Sequence, residues 1–186
     1  MSPSRRAAIR TLLAVLLPLA ACARSSLSIS TRGYDARVSE GVGRLRAATD
    51  PFHSLDAAVA AGYPRDVPDC LIHAQHGAMG YHHVNRALSD AKVEIEHPEI
   101  LLYEKRPNGE YRLNGVEFIV PFRVWPRDSV PPQLMGMNMH REDNLKIWYM
   151  HVWAWTNNPE GLFANFNPDV ACLPGTGKVY TPFEAP

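Results

Sequence analysis

Apolar side chains in the first part of the chain recur every three or four residues, a spacing typical of an amphipathic helix. The residues on this shared face are Val38, Val42, Leu45 and Ala48. Pro51 interrupts the pattern, and Ser54 is a suitable N-cap for a second helix that Gly62 and Pro64 would end. The sequence therefore predicts two consecutive helices between Tyr34 and Tyr63.

A β-hairpin is the clearest local pattern in the middle of the chain. Residues 100–106 and 110–120 are rich in β-branched and aromatic side chains, and they flank Asn108-Gly109. Asn-Gly is the preferred pair for a two-residue turn between antiparallel strands. We therefore predict an antiparallel hairpin that is closed by a two-residue turn.

The register of this hairpin decides where its two glutamates lie. A two-residue turn pairs residues whose numbers add up to 217, so Ile100 would face Glu117 and Glu104 would face Leu113. Both glutamates would then point to one largely apolar face. At about 3.3 Å per residue they would lie roughly 13 Å apart, which is too far for both to bind one ion. We expect one glutamate to be a metal ligand and the other to form a buried salt bridge.

A third strand is predicted over residues 146–156, where both alternating faces are apolar. A strand that buries both faces lies inside a sheet, so His151 is expected to be buried. The residues that would share its face are Ile147, Tyr149, Trp153 and Trp155. Residues 66–85 are irregular and contain two glycines, and a loop that presents side chains is expected there.

These elements together predict an α+β fold, with N-terminal helices packed on a small, mostly antiparallel β-sheet. No internal repeat or second domain is evident, so residues 34–186 are expected to form one domain. A chain of this length can build one substantial hydrophobic core.

The N-terminus has the pattern of a bacterial secretory signal over residues 1–21. A basic start precedes an apolar stretch that is too short to span a bilayer. Leu19-Ala20-Ala21-Cys22 resembles a lipobox, so we expect cleavage before Cys22 and its modification by lipid, including palmitate. An ordinary cleaved signal peptide is the alternative. Ala23 fits the sorting of lipoproteins to the outer membrane, with residues 22–33 as a tether and the domain facing the periplasm.

The charge balance argues against a nucleic-acid surface. The chain has 19 basic and 19 acidic residues, and loss of residues 1–21 removes three arginines and no acidic residue, which leaves a net charge of −3. Nucleic-acid binding needs a clustered excess of Lys and Arg. The expected partners are therefore the membrane, through the lipid anchor, and a metal ion.

Two cysteines, Cys70 and Cys172, remain if Cys22 carries lipid. Cysteine pairs in exported proteins usually form disulfides, and this bridge would close a loop of about 100 residues. A thiolate metal site is the alternative. We predict the disulfide.

Four of the eight histidines lie within eleven residues, at His73, His76, His82 and His83. Imidazole is the commonest metal ligand of proteins and titrates near neutral pH. The cluster therefore indicates a metal or proton-handling site in this part of the chain.

Short motifs spread over residues 45–172 resemble, in order and spacing, a family of uncharacterised exported bacterial proteins and lipoproteins. The motifs are Ala61-Gly62-Tyr63, Cys70, Gly77-Ala78-Met79-Gly80-Tyr81-His82, Leu101-Leu102-Tyr103-Glu104, Gly115-Val116-Glu117, His151-Val152-Trp153, Asn158-Pro159-Glu160-Gly161-Leu162-Phe163 and Asn167-Pro168-Asp169-Val170-Ala171-Cys172. The resemblance implies no activity. It does imply that His82 and His151, together with Glu104 and Glu117, belong to the common machinery, whereas the other clustered histidines do not.

The leading hypothesis is a mononuclear site made of His82, His151 and one carboxylate, with Glu117 favoured over Glu104. Two imidazoles and a carboxylate suit Zn, Fe(II), Mn or Ni, so the ligand types do not select the metal. Residues expected to support the ligands from outside are His76, His83 and Asn85. Hydrogen bonding of these groups within the core, with no metal bound, is the alternative.

Copper handling is the second hypothesis. Three methionines and a histidine lie close together at Met135, Met137, Met139 and His140. Thioether and imidazole favour copper, and an extended segment would place the three sulfurs on one side. A flexible methionine-rich loop is the alternative.

Two further hypotheses involve catalysis or no metal at all. A metal bound by His and Glu could activate water for hydrolysis, although no motif for nucleophilic catalysis is present. Four tryptophans could instead line a groove for a ligand in a binding or envelope-structural protein.

Overall fold

The structure is a computed structural model that describes residues 28–64 and 68–180. The predicted signal peptide over residues 1–21 and Cys22, the predicted site of lipid modification, lie outside the described residues. Within the described ranges, no helix is long and apolar enough to cross a membrane.

Two α-helices form near the N-terminus, as predicted, and a short 3₁₀ helix that contains Pro51, Asp50–His53, separates them. Helix α1 spans Ala36–Thr49, and the side chain of Asp35 accepts hydrogen bonds from the first free backbone N–H groups. Helix α2 spans Leu55–Ala60 and is capped by Ser54, as expected from the sequence. The apolar face of α1 lies in the same hydrophobic cluster as one face of the sheet.

Nine strands follow in the described residues. They are β1 (Cys70–His73), β2 (Gly77–Val84), β3 (Ile100–Lys105), β4 (Tyr111–Pro121), β5 (Gln133–Leu134), β6 (Met137–Asn138), β7 (His140–Glu142), β8 (Ile147–Val152) and β9 (Gly177–Val179). Seven of them form one curled mixed sheet in the order β7-β8-β4-β3-β2-β1-β9, and β5 and β6 form a separate hairpin. Only the β1–β9 pair among these described strands is parallel, so the sheet is mostly antiparallel but larger than expected.

The loop predicted for residues 66–85 is wrong, because β1 and β2 pair there as an antiparallel hairpin. The glycines that suggested a loop are positions where another backbone comes very close. A β-carbon on Gly77 would lie 2.2 Å from the Asn167 carbonyl oxygen, and one on Gly80 would lie 2.4 Å from the Tyr103 carbonyl oxygen. Glycine at these positions therefore permits close packing rather than an irregular loop.

The β3–β4 hairpin is present, but its turn contains three residues, 107–109, instead of two. The N–H of Arg106 donates to the carbonyl of Glu110, and Gly109 has a φ of +85°. A two-residue turn would need an N–H from Pro107, which has none. The proline therefore shifts the closing pair by one residue.

A bulge in β4 cancels this shift farther along the hairpin. Leu102 faces Gly115 and Tyr103 faces Leu113, which leaves Asn114 as the extra residue. Ile100 therefore faces Glu117, as predicted. Glu104 does not face Leu113 but Arg112, and Leu113 packs on the opposite face in the main core.

Strand β8 lies inside the sheet between β7 and β4, and its His151 is buried, as expected. Trp153 is fully buried on the predicted face. Trp155 is not on that face, because the strand ends at Val152. Its indole N–H instead donates to the Thr49 hydroxyl at 3.0 Å, near the end of α1.

The predicted disulfide is confirmed between Cys70 and Cys172, with an S–S distance of 2.06 Å. It joins β1 to the segment that precedes β9. Beyond β9, the Tyr180 hydroxyl donates to Glu142 of β7 at 3.5 Å. The two edge strands of the sheet therefore approach each other, and the sheet curls around a cavity.

Candidate metal centre

Three strands bring His82, Glu117 and His151 together on the concave face of the sheet. Glu117 on β4 pairs directly with His151 on β8, and His82 reaches them from β2 across the intervening β3. One ligand atom of each residue lies within 4.8 Å of the others. Residues separated by up to 69 positions in the sequence therefore meet at one point.

Bulges precede two of these three residues along their strands. Met79 is the extra residue where β2 pairs with β1, three positions before His82. Asn114 is the extra residue of β4, three positions before Glu117. A bulge changes which side chains face each side of a strand and is common beside functional sites.

The distances suit a small divalent ion. His82 Nε2 lies 3.5 Å from Glu117 Oε2, and His151 Nε2 lies 3.8 Å from the same oxygen. A tetrahedral ion with bonds of about 2.0–2.2 Å would hold its ligand atoms roughly 3.4 Å apart. Small side-chain shifts would therefore bring all three atoms into coordination distance.

Three of the four imidazole nitrogens of the site are buried without hydrogen-bond partners in the described structure. This holds for Nδ1 of His82 and for both ring nitrogens of His151. The Gly80 backbone and the Asn165 side chain approach these rings without completing a hydrogen bond. Because unpaired buried polar atoms are costly, His151 Nε2, which faces Glu117, fits the role of a metal ligand. The His82 ring turns its Nε2 towards the same Glu117 oxygen.

Burial also shifts the protonation of the three groups. Removal from water lowers the pKa of His82 to about 4 and that of His151 to about 3. It raises the pKa of Glu117 to about 8, and the nearby Glu99 carboxylate adds to this rise. The imidazoles are therefore neutral at pH 7, the form that binds metals, and an ion would have to displace the proton of Glu117.

A cavity of about 870 Å³ opens above the three residues. Its walls include Tyr149, whose ring centroid lies 5.7 Å from that of His151. The Asn165 amide donates to the Tyr149 hydroxyl at 3.1 Å. The face that carries Tyr149 is evident from strand alternation, whereas Asn165 lies in an irregular segment without a sequence signal.

Glu104 lies apart from the group, on the other side of the β4 bulge. One of its carboxylate oxygens pairs with the Arg112 guanidinium at 2.6 Å, and the other accepts the backbone N–H of Ala171 at 3.2 Å. These contacts satisfy the carboxylate. Glu104 is therefore a salt-bridge partner and not a ligand of this group.

The structure places His76, His83 and Asn85 away from the metal ligands. The expectation that they support these ligands is therefore wrong. His83 points to the opposite face of the sheet, where its Nδ1 donates to the Pro64 carbonyl. Asn85 bonds to the Ala61 carbonyl at 3.0 Å and caps a short helical turn. His76 pairs with Glu160 at 2.8 Å near the surface. Side chains alternate along β2, so His82 and its neighbour His83 cannot serve the same site.

The methionine segment is not extended, so its three sulfurs do not share one side. Met135 and Gly136 form the tight turn between β5 and β6, with φ values of +52° and +80°. Met135 and Met139 are buried in the main core, whereas Met137 is exposed. The ring of His140 packs beside Tyr149. The geometry predicted for a copper site is therefore wrong.

Comparisons of the chain with protein-family models, with curated proteins and with solved structures found no match.

Proposed function

We propose that this protein binds a divalent transition metal ion through His82, Glu117 and His151. One observation carries the proposal: three potential ligands from three different strands converge in the sheet, where Nε2 of each imidazole faces the same oxygen of Glu117 and His151 Nε2 is buried without a hydrogen-bond partner in the described structure. A hydrogen-bonded core would satisfy these nitrogens with protein groups. A metal ion satisfies one nitrogen of each ring and ionises the buried carboxyl group.

The donor set and its surroundings favour an open site over a closed structural one. Structural zinc sites use four protein ligands, whereas catalytic sites use three and leave a position for water or substrate. Here three protein ligands face a large cavity. The donors suit Zn, Fe(II) or Mn, and no reaction is assigned.

We further propose that the protein is lipid-anchored through Cys22 and faces the periplasm, with the outer membrane as its destination. The lipobox-like Leu19-Ala20-Ala21-Cys22 and the following Ala23 support this localisation. The disulfide is consistent with it, because such bonds persist in oxidising compartments. The motifs that resemble exported bacterial lipoproteins also include all three proposed ligands.

Elemental analysis of protein extracted with detergent from the membrane fraction of the cell envelope, without a histidine tag, tests the metal proposal. We expect close to one zinc, iron or manganese ion per chain in the wild-type protein. His151→Ala and His82→Ala should each lower the metal content at least tenfold, because each removes one of three ligands.

The matched control is His76→Ala, which removes a histidine from the same cluster in the sequence but not from the site. This variant should keep the wild-type metal content. The proposal fails if the wild-type protein neither contains nor takes up a divalent metal, or if the His82 and His151 variants retain it.

A further inference from the structure

We infer that the cavity above the metal centre binds a small monoanion with an apolar body, of the class of medium-chain carboxylates, whose carboxylate coordinates the metal. This inference rests on the proposed function, because the metal supplies the charge that holds the ligand. Three observations support the inference: the shape of the cavity, the side chains that form its walls and the charge of the metal site.

Apolar side chains extend from the metal centre along the concave face of the sheet. Val84 and Ile100 lie in the same row across the strands as Glu117. Ile119 and then Ile147 line the cavity farther along. Ile147 pairs with Pro121, which is four positions after Glu117 on β4, and four positions correspond to roughly 13 Å of strand. This distance suits a medium alkyl chain.

The size of the cavity agrees with a small-molecule site. Its volume of about 870 Å³ falls in the range of pockets that enclose most of a small ligand. The aromatic side chains of Tyr149 and Tyr180 complete the walls. Its walls are mainly apolar between the metal centre and a second group of polar side chains at the far end, and apolar walls combined with a few polar groups are typical of ligand-binding cavities.

The charge at the metal end favours an anion. Two neutral imidazoles and one carboxylate leave a divalent ion with one net positive charge in a buried site. The nearby Glu99 carboxyl group accepts the Ile119 backbone N–H at 3.1 Å and belongs neither to the ligand group nor to the cavity wall. An uncompensated buried charge is costly, and one carboxylate in an open coordination position would neutralise it.

The charged groups at the far end of the cavity already have partners. Glu142 accepts the Asn144 backbone N–H at 2.9 Å and the Tyr180 hydroxyl, and Arg141 pairs with Asp143 at 3.3 Å. Arg86 also lines the cavity, but its side chain is exposed to water. The metal centre is therefore the strongest attraction for the anionic end of the ligand.

Calorimetric titration of the mature protein with octanoate tests this inference, with and without a bound zinc ion. We expect octanoate to bind the zinc-loaded protein at least tenfold more tightly than the protein in EDTA. Acetate has the charge without the chain, and 1-octanol has the chain without the charge. Each should bind the zinc-loaded protein at least tenfold more weakly than octanoate does.

A variant that fills the apolar part of the cavity separates the ligand from the metal. Val84→Trp should weaken octanoate binding at least tenfold while zinc content stays near one ion per chain. Ile147→Ala is a milder second variant and should weaken it several-fold. The matched control is Val124→Trp, at an exposed position outside the cavity, which should leave octanoate binding unchanged.

The possible results distinguish the two proposals. Zinc binding without octanoate binding, or equal binding of octanoate and 1-octanol, overturns the ligand inference and leaves the metal site intact. Octanoate binding that is equally tight in EDTA also overturns it and points to an exposed cation such as Arg86. Failure to bind any divalent metal overturns both proposals.

Discussion

Glu117→Gln should make the metal-free protein less sensitive to alkaline pH. Glutamine has nearly the shape of a protonated glutamic acid and does not ionise. In the folded protein, burial raises the pKa of Glu117 from 4.5 to about 8, whereas the unfolded chain keeps the ordinary value. Over most of the range from pH 4.5 to about 8, the folded state therefore keeps a proton on Glu117 that the unfolded state has lost.

The sign of the effect follows from this difference in bound protons. Where the folded state binds more protons, stability falls as pH rises, by roughly 1.4 kcal/mol per pH unit for one group. His82 and His151 act in the opposite direction, since their pKa values are lowered from 6.5, but their effect is complete by about pH 6.5. Glu99, whose pKa burial raises to about 7, also lowers the stability of the folded state as pH rises, and it does so in both proteins.

Between pH 6.5 and 8, the wild-type protein should lose about 2 kcal/mol of stability relative to Glu117→Gln. Urea unfolding in EDTA, followed by tryptophan fluorescence at the two pH values, measures this difference. Added zinc should remove the loss in the wild-type protein, because the metal replaces the proton. Parallel pH profiles of the two proteins in EDTA would show that Glu117 is ionised in the folded state and would refute the reasoning.

Three further predictions concern the covalent bonds and the backbone. Replacing both Cys70 and Cys172 by alanine should lower the free energy of unfolding by about 2–5 kcal/mol, measured by urea unfolding, and an unchanged midpoint would contradict this. Gly77→Ala should lower the free energy of unfolding by more than about 3 kcal/mol, because the new β-carbon would lie 2.2 Å from a carbonyl oxygen. The control is Gly109→Ala, which is also at positive φ but in open space and should cost only about 1 kcal/mol in the same assay. Cys22→Ser should abolish incorporation of radiolabelled palmitate and release the protein from the membrane fraction, and continued labelling would place the lipid elsewhere.

The sequence predicts much of the sheet because its strands have strong local patterns. The alternation along β8 correctly places His151 in the buried interior of the sheet. The Ile100–Glu117 pair is also correct, but only because the three-residue turn and the bulge at Asn114 offset each other. Neither shift can be read from periodicity alone.

The remaining errors come from contacts between distant parts of the chain. Two hydrogen bonds hold the bulge residue Asn114. Its backbone carbonyl accepts the backbone N–H of Trp155 at 2.9 Å, and its side-chain oxygen accepts the Thr156 hydroxyl at 2.7 Å. The glycines of β2 suggest a loop until the neighbouring backbones are known. The histidine cluster likewise divides once β2 is seen to be a strand, because alternation sends His82 and His83 to opposite faces.

The way in which the curled sheet ends also bears on self-association. Edge strands with long rows of free N–H and carbonyl groups can pair with other molecules and start aggregation. Here β7 and β9 are each only three residues long, and they carry the exposed charges of Arg141 and Lys178. Tyr180 also links the two edges through Glu142. Within the described residues, the sheet thus offers other copies little edge for pairing, and this protection would matter most if the proposed lipid anchor holds many copies on one membrane surface.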